Sequence, residues 1–407
     1  MEQKISFIHA ADLHLDSPFK GLSNVSETIF QEVRQSTFAA LDNLVKAAIE
    51  RNVDFVLLVG DLFDNEKQSL KAQIKLRNAF QELQRHHIEV YLSYGNHDYI
   101  KGNIYPITYP DNVHIFSGEQ LSSFLYQKDH QTLAAIYGFS YENRAVTRNR
   151  VQEYQIIDSE IPFHIAMLHG SIESNTEHDT YAPFQLGELI DKPFHYWALG
   201  HIHKREILKK NPFVIYPGNI QGRNRKETGE KGCYYVEMSE SEAEASFIPL
   251  QVIQYNSITI DLSACKAIHD IEQVIKDNLA ALEAPVPQLV DLTLHSNQSN
   301  LIEWKNEDLI NEIIDIINDT FENQKNWLHI FRYTIQDGYP LHNSPLKGDH
   351  FLGELSSQME KISVNQIVSE LFRHKEARKY IEALANVEEE KIKEEAFQLL
   401  THELMKE

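Results

Sequence analysis

Nine residues combine types and spacings that could do chemistry: Asp12 and His14, Asp61, Asn96 with His97 and Asp98, His169, and His201 with His203. Seven of them, Asp12, His14, Asp61, Asn96, His169, His201 and His203, offer oxygen or imidazole donors and no thiolate. Such a set suits manganese, iron or zinc better than the oxygen-only sites of calcium or magnesium. Seven donors exceed what one tetrahedral ion takes. If Asp61 lends both carboxylate oxygens, the set divides between two ions. Two ions about 3.5–4 Å apart activate water and neutralise charge at a phosphoryl centre, so no protein nucleophile is required. His97 is then left without a metal. Beside Asn96 it is placed to stabilise a charged transition state or to protonate a leaving oxygen, with Asp98 as its orienting partner.

The elements that must position these residues are legible around them. Five apolar runs, at 5–11, 54–59, 88–94, 163–168 and 196–199, read as buried strands, and each ends in Asp, Asn or His. A hydrogen-bonded turn accounts for Gly95-Asn96-His97-Asp98 taken alone, with Gly95 letting the backbone bend. A lone histidine such as His169 closing a strand is ordinarily a core or surface residue. Recurrence decides between these readings, because five such endings are hard to place as core or as solvated turns. The i, i+2 spacing of Asp12 and His14 puts both side chains on one side of an extended backbone. Asp16 shares that parity but precedes Ser17-Pro18 and reads as a turn residue. Apolar positions at helical spacing predict helices over 26–51 and 70–86, so the order is strand, helix, strand, helix, strand. Side chains from one edge of such a sheet converge where α/β folds bind ligands.

Composition bounds the rest. A chain of 407 residues exceeds one average domain, and 42% hydrophobic with 24% charged residues is ordinary for a globular protein. The amino terminus has no signal-peptide apolar region, and no apolar run reaches the roughly 18 residues of a membrane span. Cys233 and Cys265 are the only cysteines, which excludes a disulfide framework and a cysteine-based zinc site. A soluble cytoplasmic protein with no membrane association is expected. The formal charge of −22 argues against a simple nucleic-acid binder, so a nucleic-acid substrate would need local basic patches. Candidates are Arg144, Arg148 and Arg150; Lys204, Arg205, Lys209 and Lys210; and Arg223, Arg225 and Lys226. The last group is the preferred DNA patch.

From about residue 251 the pattern is strand, helix, strand, helix, strand, with helices over 268–282 and 308–321. It carries no ligand residues and suggests a substrate-shaping role. Residues 337–348 read as a linker. Residues 350–407 are charged and helical, with an apolar stripe of Leu355, Met359, Ile362, Ile367, Leu371, Phe372, Ile381, Leu384, Leu399, Leu400 and Leu404.

The ordered motifs Asp-x-His, Gly-Asp, Gly-Asn-His-Asp, His-Gly and Gly-His-x-His resemble the calcineurin-like metallophosphoesterase superfamily. The fuller versions at 11–16, 60–64 and 94–98 are similar to its DNA-repair exonuclease branch of SbcD type, and the His14 to Phe19 opening to the YhaO-type proteins within it. The resemblance implies an α/β fold, a metallophosphoesterase β-sandwich flanked by helices, over residues 1–250. A small α/β capping domain over 251–338 and a linker with a helical partner-docking segment over 339–407 would follow. It assigns one ion to Asp12, His14, Asp61 and His203, the other to Asp61, Asn96, His169 and His201, and makes His97 the catalytic histidine. Manganese would be the metal, with iron or zinc as substitutes. Tyr216-Pro217-Gly218-Asn219 is similar to the family's Pro-Gly-Ser-type turn, with Asn219 in place of serine. Archaeal and eukaryotic relatives carry a histidine where Asp64 stands; a carboxylate cannot donate a proton at neutral pH as imidazolium can. An SMC-like ATPase of SbcC type and a homodimer complete the implied assembly. The function so indicated is two-metal DNA hydrolysis of exonuclease type in DNA repair. The alternatives are a phosphodiesterase for small substrates and an assembly subunit with an inactive phosphoesterase fold.

Overall fold

The computed structural model describes residues 3–337 apart from 20, 23, 65–67, 103–106, 174–180, 283, 297–300, 302–303 and 305–307. Beyond these it describes 350–369, 388–390, 392–393, 396–397 and 400. Met1–Asp337 forms one compact unit and Gly338–Glu407 another.

The first sheet grows from three parallel strands, β1 (Lys4–Ala10), β2 (Phe55–Val59) and β3 (Glu89–Ser93). The connections between them are α1 (Glu27–Glu50) and α2 (Leu70–Arg85). Each helix starts at a serine whose hydroxyl accepts an otherwise orphaned backbone N–H, Ser26 from Ile29 and Ser69 from Ala72. β4 (Val113–Ile115) joins β3 in parallel. The second sheet is built from β5 (Ser122–Lys128), β6 (Gln131–Gly138), β7 (Phe163–His169), β8 (Tyr196–Gly200), β9 (Glu206–Lys210) and β10 (Phe213–Tyr216), in the order β5-β6-β7-β8-β10-β9, with the short helix α3 (Leu186–Ile190) before β8. The chain then returns to the first sheet. β11 (Gly232–Ser239) pairs antiparallel with β1, and β12 (Ala243–Pro249) with β11.

Strict alternation stacks the two sheets. Phe7, Phe55, Leu57, Val59 and Tyr91 face Ile136, Ile165, Met167, Tyr196 and Ala198 across the sandwich. The intervening Ile8, Val56, Leu58, Val90 and Leu92 face Phe38, Leu41, Leu44, Phe80 and Leu83 of the helices. Each such fully buried side chain stabilises the fold by about 1.5–3 kcal/mol. The helix-flanked β-sandwich expected from the motifs is the fold that forms.

A third sheet follows: β13 (Gln254–Asp261), β14 (Gln288–Ser296) and β15 (Leu328–Asp337), all parallel, connected through α4 (Ile268–Ala280) and α5 (Leu309–Glu322). It is anchored to the first part of the chain by an apolar cluster. Phe19, Leu22, Ile29 and Val33 pack there with Ile253, Tyr255, Leu289 and Trp327, and the Trp327 indole donates to Glu32 at 2.8 Å. The segment that follows His14 is thereby clamped under the third sheet.

In the second unit α6 (His350–Lys361) and α7 (Val364–Ile367) are described, with Glu389 accepting from the Asn365 side chain at 2.8 Å. Asp337, the first residue of the expected linker, closes β15; the rest of the linker and the stripe residues Leu371, Phe372, Ile381, Leu384, Leu399 and Leu404 lie outside the described residues. Among the described residues no helix is long and apolar enough to cross a membrane.

One buried histidine of the sandwich makes a stability prediction. His9 is fully enclosed, with Nδ1 at 2.9 Å from the Tyr196 hydroxyl and Nε2 at 3.0 Å from the Leu199 carbonyl. Burial pushes its pKa down to about 3, against a small upward pull from the Leu199 carbonyl. The folded state therefore refuses a proton that the unfolded state accepts. The contribution of His9 is present above pH 6.5 and lost as pH falls from there toward 3, at about 1.4 kcal/mol per pH unit. Urea unfolding at pH 7.0 and 5.5 should show a loss shallower by about 1.4 kcal/mol in His9→Gln than in wild type over the upper unit of that range. Equal pH slopes would remove His9 as a source of acid lability.

Candidate metal centre

Parallel strands of both sheets bring their carboxyl ends to one edge, and the predicted donors stand there. Asp12 follows β1, Asp61 follows β2, Asn96 follows β3, His169 closes β7, and His201 and His203 follow β8. Several of these positions carry left-handed backbone, with φ of 52° at Asp12, 42° at His14, 51° at Asp61 and 93° at His201. Such residues cost of order 1–3 kcal/mol each and persist where the surroundings over-determine them. Asp12 and His14 therefore do not share one side of an extended strand, as their spacing predicted. They lie past the strand end, in a turn that brings both side chains into one cluster. Asp16, at φ 62°, is the turn residue expected.

The glycines serve clearance as well as turning. The chain bends over 96–98 as expected, although Gly95 itself has no positive φ. A Cβ at Gly95 would stand 2.4 Å from Asp61 Oδ1 and 2.7 Å from His169 Nε2. Gly60 does adopt φ 74°, and a Cβ there would meet His169 Nδ1 at 2.3 Å.

The donors form two groups. Asp12, His14 and His203 make one, and Asp61, His169 and His201 the other, with ligand atoms inside each group within 4.8 Å of one another. Asp61 Oδ2 joins them, 3.4 Å from His169 Nε2 and 3.9 Å from His14 Nε2. Asn96 Oδ1 completes the second group, 3.0 Å from His169 Nε2 and 3.3 Å from His201 Nδ1. Asp12 accepts the His201 backbone N–H through both carboxylate oxygens, at 3.1 and 3.0 Å.

Outer contacts set the imidazole tautomers. His169 Nδ1 lies 3.0 Å from the Val59 carbonyl and His203 Nδ1 2.8 Å from Glu227 Oε1. Both partners can only accept, so Nδ1 donates and the Nε2 lone pair is left facing the cluster. His14 Nε2 and His203 Nε2 are 3.0 Å apart. With the His203 Nε2 lone pair turned toward His14, the two nitrogens share either a proton of His14 or a cation, and a cation would lie among the donor atoms of Asp12, His14 and His203. The donor set therefore fits two divalent cations sharing Asp61.

Burial makes the charges there costly without cations. Burial pushes the Asp12 carboxyl well up, and the Asp61 charge adds to this against His169. Burial also acts on Asp61, but His169, His14 and His97 outweigh it and hold that carboxyl well below the usual range. His14 is held well below its usual value by burial, with Arg223 and His203 adding.

His97 is half-buried, and its backbone N–H donates to Asp61 Oδ1 at 2.9 Å. Its ring is oriented by a partner other than the one expected. Nδ1 meets the backbone carbonyl of Asp64 at 2.8 Å, whereas the Asp98 carboxylate accepts the backbone N–H groups of Gly95 and Leu62, each at 2.7 Å. Asp98 thus ties the turn after β3 to the turn after β2. Burial, together with the Asp61 charge, pushes its carboxyl up to about 7.

Glu227 carried no motif and was missed from the sequence. It contacts the His203 ring, and its other oxygen accepts from the Asn219 side chain at 2.8 Å and from the Arg223 backbone at 2.7 Å. A glutamate 24 residues past His203 has no spacing signal. Glu227→Gln is expected to weaken manganese binding by about 10–100-fold while the protein remains folded. Calorimetric titration reads this directly, and unchanged affinity would deny Glu227 a part in the site.

The basic groups are placed differently from the expected DNA patches. Arg223 is 13% exposed and paired with Asp64 and Glu227, with Nη2 at 3.2 Å from His203 Nδ1. It belongs to the interior of the site. Arg225 reaches Asp291 of β14 at 3.6 Å, and Arg332 of β15 reaches the same carboxylate at 3.2 Å. Arg150 is buried under Glu119 and Glu153. Arg205 lies over the Phe247 ring and 3.7 Å from Glu230. Lys204, Lys209, Lys210 and Lys226 remain exposed.

Comparison with known proteins agrees with this geometry. Residues 5–205 match the calcineurin-like phosphoesterase family. The chain is 35% identical over 402 residues, 98% of both chains, to the uncharacterized metallophosphoesterase YhaO of Bacillus subtilis. It is 28% identical over 256 residues to the DNA double-strand break repair protein Mre11 of Methanocaldococcus jannaschii, covering 60% of this chain and 65% of that one. With the Mre11 protein of Thermoplasma acidophilum it shares 24% identity over 306 residues, 72% of this chain and 77% of the other. The family binds divalent metal ions and hydrolyses phosphoesters, and to this family, the calcineurin-like metallophosphoesterases, the chain belongs.

Proposed function

We propose that this chain is a two-metal phosphodiesterase acting on DNA, of the SbcD exonuclease type, with manganese as its working metal. The observation that carries the reading is the pair of donor groups joined through Asp61, with His97 beside them and free of the donor set. When bound, the ions supply Lewis-acid activation of water and neutralise phosphoryl charge. The chain's own residues do the remainder. Asn96, His169 and His201 hold one side of the site and Asp12, His14 and His203 the other. His97, held at Nδ1, presents Nε2 as the ring nitrogen that can donate a proton to the leaving oxygen.

DNA as substrate is supported by the Mre11 relatives, whose similarity extends over more of the chain than the sandwich itself. The third sheet, anchored beside the site by Trp327 and Tyr255, is then a capping domain that shapes access. The helical unit after it would dock an SMC-like ATPase of SbcC type, and a homodimer would pair two sites. A small-substrate phosphodiesterase is the second reading. It is favoured by the burial of Arg223 and Arg150, which takes those two cations out of reach of a phosphate backbone, and by the charge of −22.

The test is hydrolysis of linear double-stranded DNA and of bis-p-nitrophenyl phosphate with added manganese. Cleavage of both supports the nuclease. Cleavage of the small diester alone, unchanged by an SbcC-type ATPase, would sink DNA as substrate and leave the second reading.

A further inference from the structure

We propose that the third sheet sets one of the two donor groups and leaves the other alone, holding His203 in place through residues 217–231 with Gln221 as the positioning residue. The proposal rests on the two-metal reading and goes beyond it, because neither Gln221 nor the third sheet contributes to the donor groups.

The two groups are supported from different directions. His169 is fixed by the sandwich itself. Its Nδ1 meets the Val59 carbonyl of β2 at 3.0 Å, the Tyr141 hydroxyl donates to its own carbonyl at 2.7 Å, and the Tyr216 hydroxyl donates to the Gly170 carbonyl at 2.7 Å. Tyr141 follows β6 and Tyr216 closes β10, so these contacts move only if the sheets do.

His203 lies past the end of β8, and its surroundings come from the connection between β10 and β11. Glu227 Oε1 takes its Nδ1 at 2.8 Å. Its carbonyl accepts from the Asn219 backbone N–H at 3.4 Å and from the Lys231 ammonium at 3.3 Å. Gly218 adopts φ 77°, and a Cβ there would stand 2.7 Å from that same carbonyl. The connection carries no strand or helix of its own, so its position depends on what else it is bonded to.

Its other side is bonded to the third sheet. Gln221 is fully covered; its Nε2 donates to the Ile253 carbonyl at 2.7 Å and its Oε1 accepts the Val252 N–H at 3.0 Å. The amide therefore acts as a strand neighbour to the residues that enter β13. The Gly229 N–H donates to the Tyr255 carbonyl of β13 at 3.0 Å. Gly222 lies against the Tyr255 ring, where a Cβ would meet Cδ2 at 3.3 Å and the Glu227 carbonyl at 2.8 Å. Tyr255 also packs with Phe19 and Leu22, in the segment that leaves His14. Both histidines of the first group thus run into segments held by the third sheet. The buried amide bonds carry this coupling. The Arg225–Asp291 pair adds little, because an ion pair with a 46% exposed arginine is screened by water.

Gln221→Met keeps the volume and removes both amide bonds. Tyr255→Leu opens the contact with Gly222 from the opposite side. Tyr255→Phe is the control, because that hydroxyl has no partner among the described residues. Calorimetric titration with manganese is expected to show one of two ions weakened about tenfold in Gln221→Met and Tyr255→Leu, the lower end of what an outer contact supplies. The other ion should stay within about threefold of wild type, and Tyr255→Phe should leave both unchanged. Paired variants show which ion is affected. Added to His203→Ala, Gln221→Met should cost the remaining ion nothing; added to His169→Ala, it should cost the remaining ion the same factor.

Equal weakening of both ions, no weakening of either in folded variants, or a further loss on top of His203→Ala would overturn the proposal and leave the two-metal site standing. A folded wild type that takes up a single ion would overturn the two-metal reading, and the proposal with it. Thermal unfolding of each apo variant checks the fold, and Gln221→Met and Tyr255→Leu reach the same segment independently.

Discussion

Replacing Asp61 with asparagine is expected to remove the binding of both manganese ions at once and to lower phosphodiester hydrolysis by at least about a thousandfold, well beyond the roughly 10–100-fold of an outer contact. The reason is its position. Oδ2 faces the His169 side and the His14 side together, and Oδ1 accepts the His97 backbone N–H, so one carboxylate serves both donor groups and the loop that carries His97. An amide keeps the shape but loses the charge that two divalent ions must share. Calorimetry should show stoichiometry falling from two ions, and the metal-dependent rise in thermal stability should disappear with it. For wild type that rise corresponds to about 2.7 kcal/mol at a hundredfold excess of metal over its dissociation constant, and a chelator should reverse it. Apo protein should be less stable in the variant, since the Asp61 charge that His169, His14 and His97 hold well below the usual carboxylate range is lost. Two ions bound with wild-type affinity would show that the groups do not share Asp61.

His97→Ala is the second large effect and has the opposite signature. Hydrolysis of a diester with a poor leaving group should fall by about 10²–10⁴-fold while both ions stay bound. His97 contributes no atom to either donor group; its ring stands edge-on to His14 with centroids 5.0 Å apart and is tied to Asp64. Its removal therefore takes away a proton donor without taking away a ligand. Loss of manganese in this variant would move His97 into the donor set and leave the acid unassigned. Read side by side, the two variants separate ion binding from the proton step, which a single inactive mutant cannot do.

Much of the molecule was written locally. The apolar runs before Asp12, Asp61, Asn96, His169 and His201 became β1, β2, β3, β7 and β8, because an uninterrupted run of β-branched and large apolar residues has only a two-sided burial to satisfy. Both long helices began at the serines that cap them and ended within a residue or so of where the 3.6-residue period stops. The convergence of the seven candidate donors was legible from residue type at strand ends, since the carboxyl edge of parallel strands is shared by every strand that reaches it.

What the tertiary structure decided was the role of groups with no periodic signature. Left-handed backbone, rather than strand parity, brings Asp12 and His14 together, and φ at a turn is set by what surrounds it. Gly95 turned out to be required for clearance against Asp61 and His169, residues 34 and 74 positions away. The sequence offered Asp98 as the partner of His97 because the two are adjacent, yet adjacent side chains need not face one another, and the Asp64 carbonyl took that place. Arg223 read as a surface cation beside Arg225 and Lys226 because charge in a loop is usually solvated. Only folding brought Asp64 and Glu227 to it, across 159 and 4 residues, and turned it into part of the site. Strands, helices and donor types follow from local pattern and burial. Which loop touches which depends on how the two sheets close over each other, and no local stretch of sequence encodes that.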